Sequence, residues 1–183
     1  MKNHTPLIIA ALIASFFAGC SKSPKQPVVP ASSVVPVSSI PSAVADSKPR
    51  QLAIDSAAAF NSKDYTNAQA LAAEATKIDP QFAEAWVGYG MASVRLGQTD
   101  QAREAYERAL SLHQAHHLQN PSDANQVVQQ IFLLTLLGRP TESETLLKQA
   151  HTDYPSDQTI TKLAEDFTTI KQGWRSWMVE VKP

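Results

Sequence analysis

A pattern of apolar and small residues recurs three times between residues 49 and 155, and it constrains the fold more than any other feature of this sequence. Each copy has two stretches with apolar residues at helical spacing, joined by a short connector, and none shows the sustained alternation typical of strands. The copies start near residues 49, 83 and 124, so successive starts lie 34 and 41 residues apart. The equivalent positions are Leu52, Trp86 and Val127 early in the first helix, Lys63, Gly97 and Gly138 at the turn, Ala68, Ala102 and Ser143 early in the second helix, and Ala75, Ala109 and Ala150 seven residues later. The pattern predicts an all-α fold of helical hairpins.

The second copy resembles the tetratricopeptide repeat (TPR), a 34-residue helical hairpin with a characteristic order of aromatic and small residues. The matching residues are Trp86, Gly90, Gly97, Ala102, Tyr106, Ala109 and Leu110. The resemblance implies a TPR solenoid in residues 50–173, with repeats near 49–82, 83–123 and 124–157 and a capping helix at 156–173 that covers the open end of the stack. The seven additional residues before the third start predict two extra turns on the second helix of the second repeat.

Two glycines inside a predicted helix, Gly88 and Gly90, each cost about 1 kcal/mol relative to alanine. The TPR resemblance implies that Gly90 lets the two helices of its repeat cross closely, with Ala102 and Ala109 as small partners. Gly88 has no such role in the family, and we expect it to face outward or toward the groove. Trp86 is expected to lie in the core.

The N-terminal 20 residues have the pattern of an export signal. Residues 7–17 form an apolar run of eleven residues, shorter than the span of about 20 that a membrane helix needs. The run ends in Phe17-Ala18-Gly19-Cys20, which resembles the lipobox of bacterial lipoproteins. The resemblance implies a signal peptide at 1–19 and a palmitate-bearing lipid anchor on Cys20, with the mature protein on the outer membrane facing the periplasm. The alternatives are an uncleaved anchor, or cleavage elsewhere that leaves Cys20 as a free thiol.

Residues 20–49 have the composition of a linker. Between residues 21 and 49 there are six prolines, eight serines and no glycine. Proline at this density prevents regular hydrogen-bonded structure, and the segment offers little apolar surface to bury. We therefore expect a disordered tether between the lipidated cysteine and the folded domain.

The TPR resemblance implies a curved surface whose inner wall is lined by the first helix of each hairpin. The implied groove positions are Arg50, Ala53, Ala57, Glu84, Val87, Met91, Val94, Asn125, Val128 and Phe132. Such a mostly apolar groove suits an apolar peptide or a partner helix. The alternative is that three repeats form no deep groove and that these residues pack on the tether or the terminal helix.

Two further clusters offer weaker signals. His113, His116 and His117 have helical spacing that suits zinc or copper, but no carboxylate or cysteine joins them locally, so no metal or other cofactor is expected. Histidines near a helix end can also simply complement the helix dipole. The 174–183 tail contains Trp174 and Trp177, which we expect to pack on the preceding helix, the alternatives being contact with a partner or a membrane interface.

The sequence favours protein binding over catalysis. A formal net charge of −1 gives no basic footprint for nucleic acid, and no motif resembles a catalytic set or a small-molecule site. The predicted function is a membrane-anchored scaffold, not an enzyme, that holds an envelope protein, similar to the pilotin-like lipoproteins that assist assembly of pili, secretion channels or outer-membrane proteins. One alternative is an adaptor that regulates an envelope protease or cell-wall hydrolase. A remote alternative is a periplasmic metal-handling protein.

Overall fold

The computed structural model describes residues 47–177, with side chains from 47 to 167. The predicted signal peptide, Cys20 and most of the predicted linker lie outside the described residues, as do the side chains of Trp174 and Trp177. Every regular element within 47–177 is an α-helix. The helices are α1 (Ser47–Asn61), α2 (Tyr65–Ile78), α3 (Ala83–Arg95), α4 (Thr99–Gln119), α5 (Ala124–Leu136), α6 (Pro140–Asp153) and α7 (Gln158–Trp177).

The helices form three hairpins, α1–α2, α3–α4 and α5–α6, followed by the single helix α7. Each helix packs on the next one in the chain, and α1 and α5 also contact α3 and α7, respectively. The predicted all-helical stack of three hairpins and a terminal helix is therefore confirmed. The 21 residues of α4 exceed the 14 of both α2 and α6 by seven, which is the predicted two-turn extension.

Both ends of the folded domain extend further than the sequence indicated. Helix α1 begins at Ser47, so the last three residues of the predicted 20–49 linker are helical, and Pro49 is buried in the first turn. Proline is compatible with this position because the first turn of a helix has no intrahelical partner for its backbone N–H groups. At the other end, α7 continues to Trp177, four residues into the predicted tail.

The same backbone cap closes the first helix of each hairpin. Lys63, Gly97 and Gly138 have φ values of 66°, 75° and 71°, the left-handed conformation that ends many helices. The residue after each of them donates its backbone N–H to a carbonyl five residues earlier, over 2.8 to 2.9 Å. The three predicted turn positions are thus equivalent in geometry as well as in spacing.

Small residues allow the helices to approach one another, as the repeat pattern predicts. The predicted inner positions of the second helices, namely Ala68, Ala102, Ser143, Ala75, Ala109 and Ala150, are all at most 1% exposed. A serine can occupy one of them because its hydroxyl has buried partners: Ser143 Oγ donates to the Ile131 carbonyl over 2.9 Å and lies 2.8 Å from Thr135 Oγ1.

The three hydrophobic clusters differ in side-chain size. The first, between the first and second hairpins, consists of Ala59, Ala68 and Ala92, with Phe60 and Leu71 packed against it. The second joins α3, α4 and α5 through Val87, Tyr106, Leu110, Leu133, Leu134, Leu136 and Leu137, together with Ala102 and Ala109. The third joins α5, α6 and α7 through Val127, Ile131, Leu147, Ala150, Ile160, Leu163 and Phe167. Most of the bulky apolar contact therefore lies in the second and third clusters.

The structure revises what surrounds the two helical glycines and Trp86. A Cβ on Gly90 would lie 2.5 Å from Cε1 and 2.7 Å from Cδ1 of Tyr106, so Gly90 makes room for this ring, and its nearest neighbours are not the expected Ala102 and Ala109. Gly88 faces the first hairpin and is not turned outward or toward the groove. Trp86 is only half-buried: it packs against the second cluster, and its indole N–H donates to the Pro80 carbonyl over 3.0 Å.

Candidate partner-binding groove

An apolar stripe runs over α3 and α5 at positions that the TPR resemblance assigns to the groove. Met91, Val94 and Phe132 are half-buried and pack against the second cluster. Val128 is also half-buried and packs, like Phe132, against the third cluster. The stripe is therefore continuous with the core below it, while part of each side chain remains accessible.

Two of the predicted groove residues belong to the core. Val87 is 3% exposed and lies within the second cluster, and Ala53 is 5% exposed. Val87 is covered because Tyr106 of α4 and the leucines of α5 pack around the same space. The prediction that Val87 lines an open groove is wrong for this reason. Ala57 remains half-buried.

Polar residues flank the apolar stripe. Glu84 is half-buried in the first turn of α3, and Asn125 is exposed in the first turn of α5. The first helices of successive hairpins run in the same direction, so both residues lie toward the same end of the groove. The Asn125 side chain accepts from Gln129 Nε2 over 3.3 Å, and its backbone N–H donates to the helix-capping Asp123.

Arg50 occupies a separate position on α1. It is exposed, and its guanidinium carbon lies 5.7 Å from the centroid of the Phe82 ring. This cation–π contact connects the first hairpin to the residue that precedes α3. The accessible part of the groove is therefore the apolar stripe, with the Glu84 carboxylate and the Asn125 amide at one end. The Arg50 guanidinium lies apart from the stripe, on α1.

The three histidines do not form a common site. His113 is 3% exposed, whereas His116 is exposed and His117 is half-buried. Within the described side chains, no group of three or more His, Cys, Asp or Glu residues could hold a metal ion. The His113 and His116 ring centroids lie 6.5 Å apart, but the helical rotation buries the first ring and leaves the second in solvent.

The structure pairs His113 with a residue that the sequence analysis missed. His113 Nδ1 lies 2.8 Å from Gln126 Oε1, and Gln130 Nε2 donates to the His113 carbonyl over 3.4 Å. The signal in the sequence is a set of three glutamines in α5, of which Gln126 and Gln130 lie four residues apart and share one helix face. Buried amides of this kind need polar partners, which here come from the neighbouring helix.

The described helices include none that is long and apolar enough to cross a membrane.

The chain was compared with known protein families, curated proteins and solved structures. Residues 59–131 match the Tetratricopeptide repeat family, and no curated protein matches the chain. Among solved structures, the Yersinia enterocolitica type III secretion translocator chaperone SycD is similar, at 16% identity over 69% of this chain and 90% of that chain, with a TM-score of 0.47. A chain of the CopN-Scc3 complex is similar at 17% identity over 88% of this chain and 97% of that chain, with a TM-score of 0.46. The match over residues 59–131, the equivalent turns and the small inner residues together show an all-helical stack of hairpins like those of tetratricopeptide repeats.

Proposed function

We propose that this chain is a non-enzymatic scaffold that holds another envelope protein in the groove formed by Arg50, Glu84, Met91, Val94, Asn125, Val128 and Phe132. The observation that carries the proposal is the apolar stripe of Met91, Val94 and Phe132. These side chains are supported from below by the second cluster and keep part of their surface accessible. An apolar strip with polar residues at its end suits the apolar face of a peptide or helix.

We further propose that Cys20 carries the lipid and holds the scaffold on the outer membrane, facing the periplasm. The support is the position of the chain's single cysteine at the end of a short apolar run. The residues between Cys20 and the start of α1 at Ser47 would reach about 80 Å if extended at ~3.1 Å per residue. Confinement to the membrane raises the effective concentration of a second contact, so a groove of modest affinity can serve a membrane-bound partner.

The partner class proposed is a subunit of a pilus, a secretion channel or another envelope assembly. The alternative partner is an envelope protease or cell-wall hydrolase that the scaffold regulates. Both rest on the same groove, so identifying the captured protein distinguishes them.

Photo-crosslinking tests the groove. A photoreactive residue at Asn125 in the full chain, expressed in cells, should give a discrete adduct whose partner is identified by mass spectrometry. The matched control carries the same residue at Gln114, which is exposed on α4. Glu84→Arg should reduce the adduct at residue 125 while the helical circular dichroism is unchanged. Equal adducts from residues 125 and 114 would contradict the groove assignment.

Mass spectrometry of the membrane fraction tests the anchor. The mature N-terminal peptide should begin at Cys20 and carry the mass of attached acyl chains. Cys20→Ala should move the protein out of the membrane fraction. A mature chain that retains residues 1–19, or an unmodified Cys20 thiol, would show that the lipoprotein assignment is wrong.

A further inference from the structure

We propose that the contact between α4 and α5 is an acid-sensitive latch, closed when the buried His113 imidazole is neutral and loosened when it is protonated. This inference does not depend on the proposed partner or on the lipid anchor.

Hydrogen bonds fix the position of the His113 proton. Gln126 Nε2 donates to Asp123 Oδ2 over 2.9 Å, so the Gln126 carbonyl oxygen is the atom turned toward His113. An amide oxygen only accepts, and His113 Nδ1 must therefore carry the hydrogen in this contact. In the neutral ring, Nε2 then has a lone pair and no proton.

The second ring nitrogen lies in a position that does not suit a proton. His113 Nε2 is buried and has no hydrogen-bond partner among the described side chains. Protonation would add both a charge and an N–H donor there, and burying an unpaired donor or charge is costly. The neutral ring avoids this cost, because an unused acceptor is tolerated better than a buried cation.

The charged surroundings only partly offset the burial. Burial lowers the pKa of His113, the Gln126 hydrogen bond and the carboxylates of Glu84 and Asp123 raise it, and His116 lowers it further. Of the charged or titratable groups, Glu84 comes from α3, Asp123 from the turn before α5 and His116 from α4 itself, whereas the Gln126 amide comes from α5. The net effect is a lowered pKa, so the closed contact holds a neutral imidazole at neutral pH.

Because of the position of His113, its protonation affects the contact between α4 and α5. The residue lies near the end of the extended α4 and is tied to α5 by two contacts, from Nδ1 to Gln126 and from its carbonyl to Gln130. When α4 and α5 separate there, the ring reaches water and regains the ordinary histidine pKa of 6.5. Below that pH the open state binds a proton that the closed state does not, so opening becomes easier as the pH falls; above it this group contributes no pH dependence.

Hydrogen exchange on the full chain tests the latch. Protection factors of amides in residues 113–119 and 124–130 should be constant above about pH 7 and should fall by up to about tenfold per pH unit below about 6.5. Amides of α2 and α3 should not follow this decline. A flat profile at residues 113–130, or an equal decline in every helix, would overturn the proposal.

Two variants separate His113 from the other histidines. In His113→Gln, an amide N–H can still donate to Gln126 but does not titrate, so the decline should disappear. In His116→Gln, which alters an exposed ring, it should persist; an undiminished decline in His113→Gln would overturn the proposal.

Nitrogen NMR of the wild-type imidazole provides a check if His113→Gln does not fold. The ring should be in the Nδ1–H form at pH 7. A His113 ring that is doubly protonated at pH 7 in the folded protein would overturn the inference.

Discussion

Gly88 and Gly90 are separated by one residue in α3, and their environments differ in a way that can be measured. Gly90 lies against the ring of Tyr106, a residue 2% exposed that belongs to the second cluster. Gly88 lies against Ser56 and Ala72 of the first hairpin, and a Cβ there would be 3.7 Å and 3.8 Å from their side-chain atoms. Packing therefore requires glycine at position 90, whereas position 88 has ordinary contact space for a methyl group.

Alanine substitutions at the two positions should therefore have opposite effects. Gly90→Ala should destabilise the domain by about 1–3 kcal/mol, because the methyl group forces a buried aromatic ring to move. Gly88→Ala should stabilise it by up to about 1 kcal/mol, because alanine is the better helix former. Urea unfolding of the two variants measures both changes. Equal destabilisation by both would contradict the environments described for them.

The left-handed (αL) cap recurs at the end of the first helix in all three hairpins. Gly97 and Gly138 occupy it in the second and third hairpins, and Lys63 occupies it in the first. A side chain in this conformation costs about 1–2 kcal/mol, which glycine avoids. The first hairpin therefore holds a strained residue at a position where the others hold glycine.

Exchanging the residue types at this cap tests its energetics. Gly97→Ala should destabilise the domain by about 1–2 kcal/mol through backbone strain alone, because no atom lies within 4 Å of the added Cβ. Lys63→Gly should stabilise the domain, by less than this amount, because glycine also gains freedom in the unfolded chain. Thermal unfolding of both variants provides the measurement. A stabilising Gly97→Ala would show that the cap is not αL in solution.

At the scale of the whole molecule, stability is distributed unevenly along the stack. In repeat proteins it is approximately a sum of repeat terms and nearest-neighbour interface terms. The fully buried apolar residues between the first and second hairpins are alanines, with the partly buried Phe60 and Leu71 packed against them. Hydrogen bonds such as the one from Gln69 Nε2 to Ser93 Oγ, over 2.8 Å, complete this contact. The second and third clusters instead contain leucines, Ile131 and Phe167. The first hairpin therefore buries less apolar side-chain area against its neighbour.

We expect the first hairpin to open before the rest of the domain. In native-state hydrogen exchange at neutral pH, amides of α1 and α2 should be less protected than those of α5. The reason is that hydrophobic stabilisation grows with the apolar area removed from water. Equal protection along all seven helices would indicate a single cooperative unit and would contradict this expectation.

Loss of a large side chain from the second cluster should affect the whole stack. Leu133 is fully buried, and Leu133→Ala should reduce the free energy of unfolding by about 2–5 kcal/mol. Leu118, at 80% exposure on the end of α4, is the matched control, and Leu118→Ala should change it by less than about 0.5 kcal/mol. Chemical unfolding of both variants measures the difference. Similar losses in the two would mean that Leu133 is not in a packed interior.

The sequence by itself determined the local and repeated features of this protein. Helical periodicity, small residues at fixed spacing and the recurring turn positions were sufficient to predict three hairpins, their inner faces, the longer α4 and the terminal helix. These features are set by residues within a few turns of one another. Only the tertiary structure decided that Gly90 faces Tyr106, that Val87 is buried and that His113 pairs with Gln126. The reason is that the rotation and separation of neighbouring helices depend on the volumes of side chains far apart in the chain. A position within a helical repeat does not specify which side chain of another helix or hairpin will contact it.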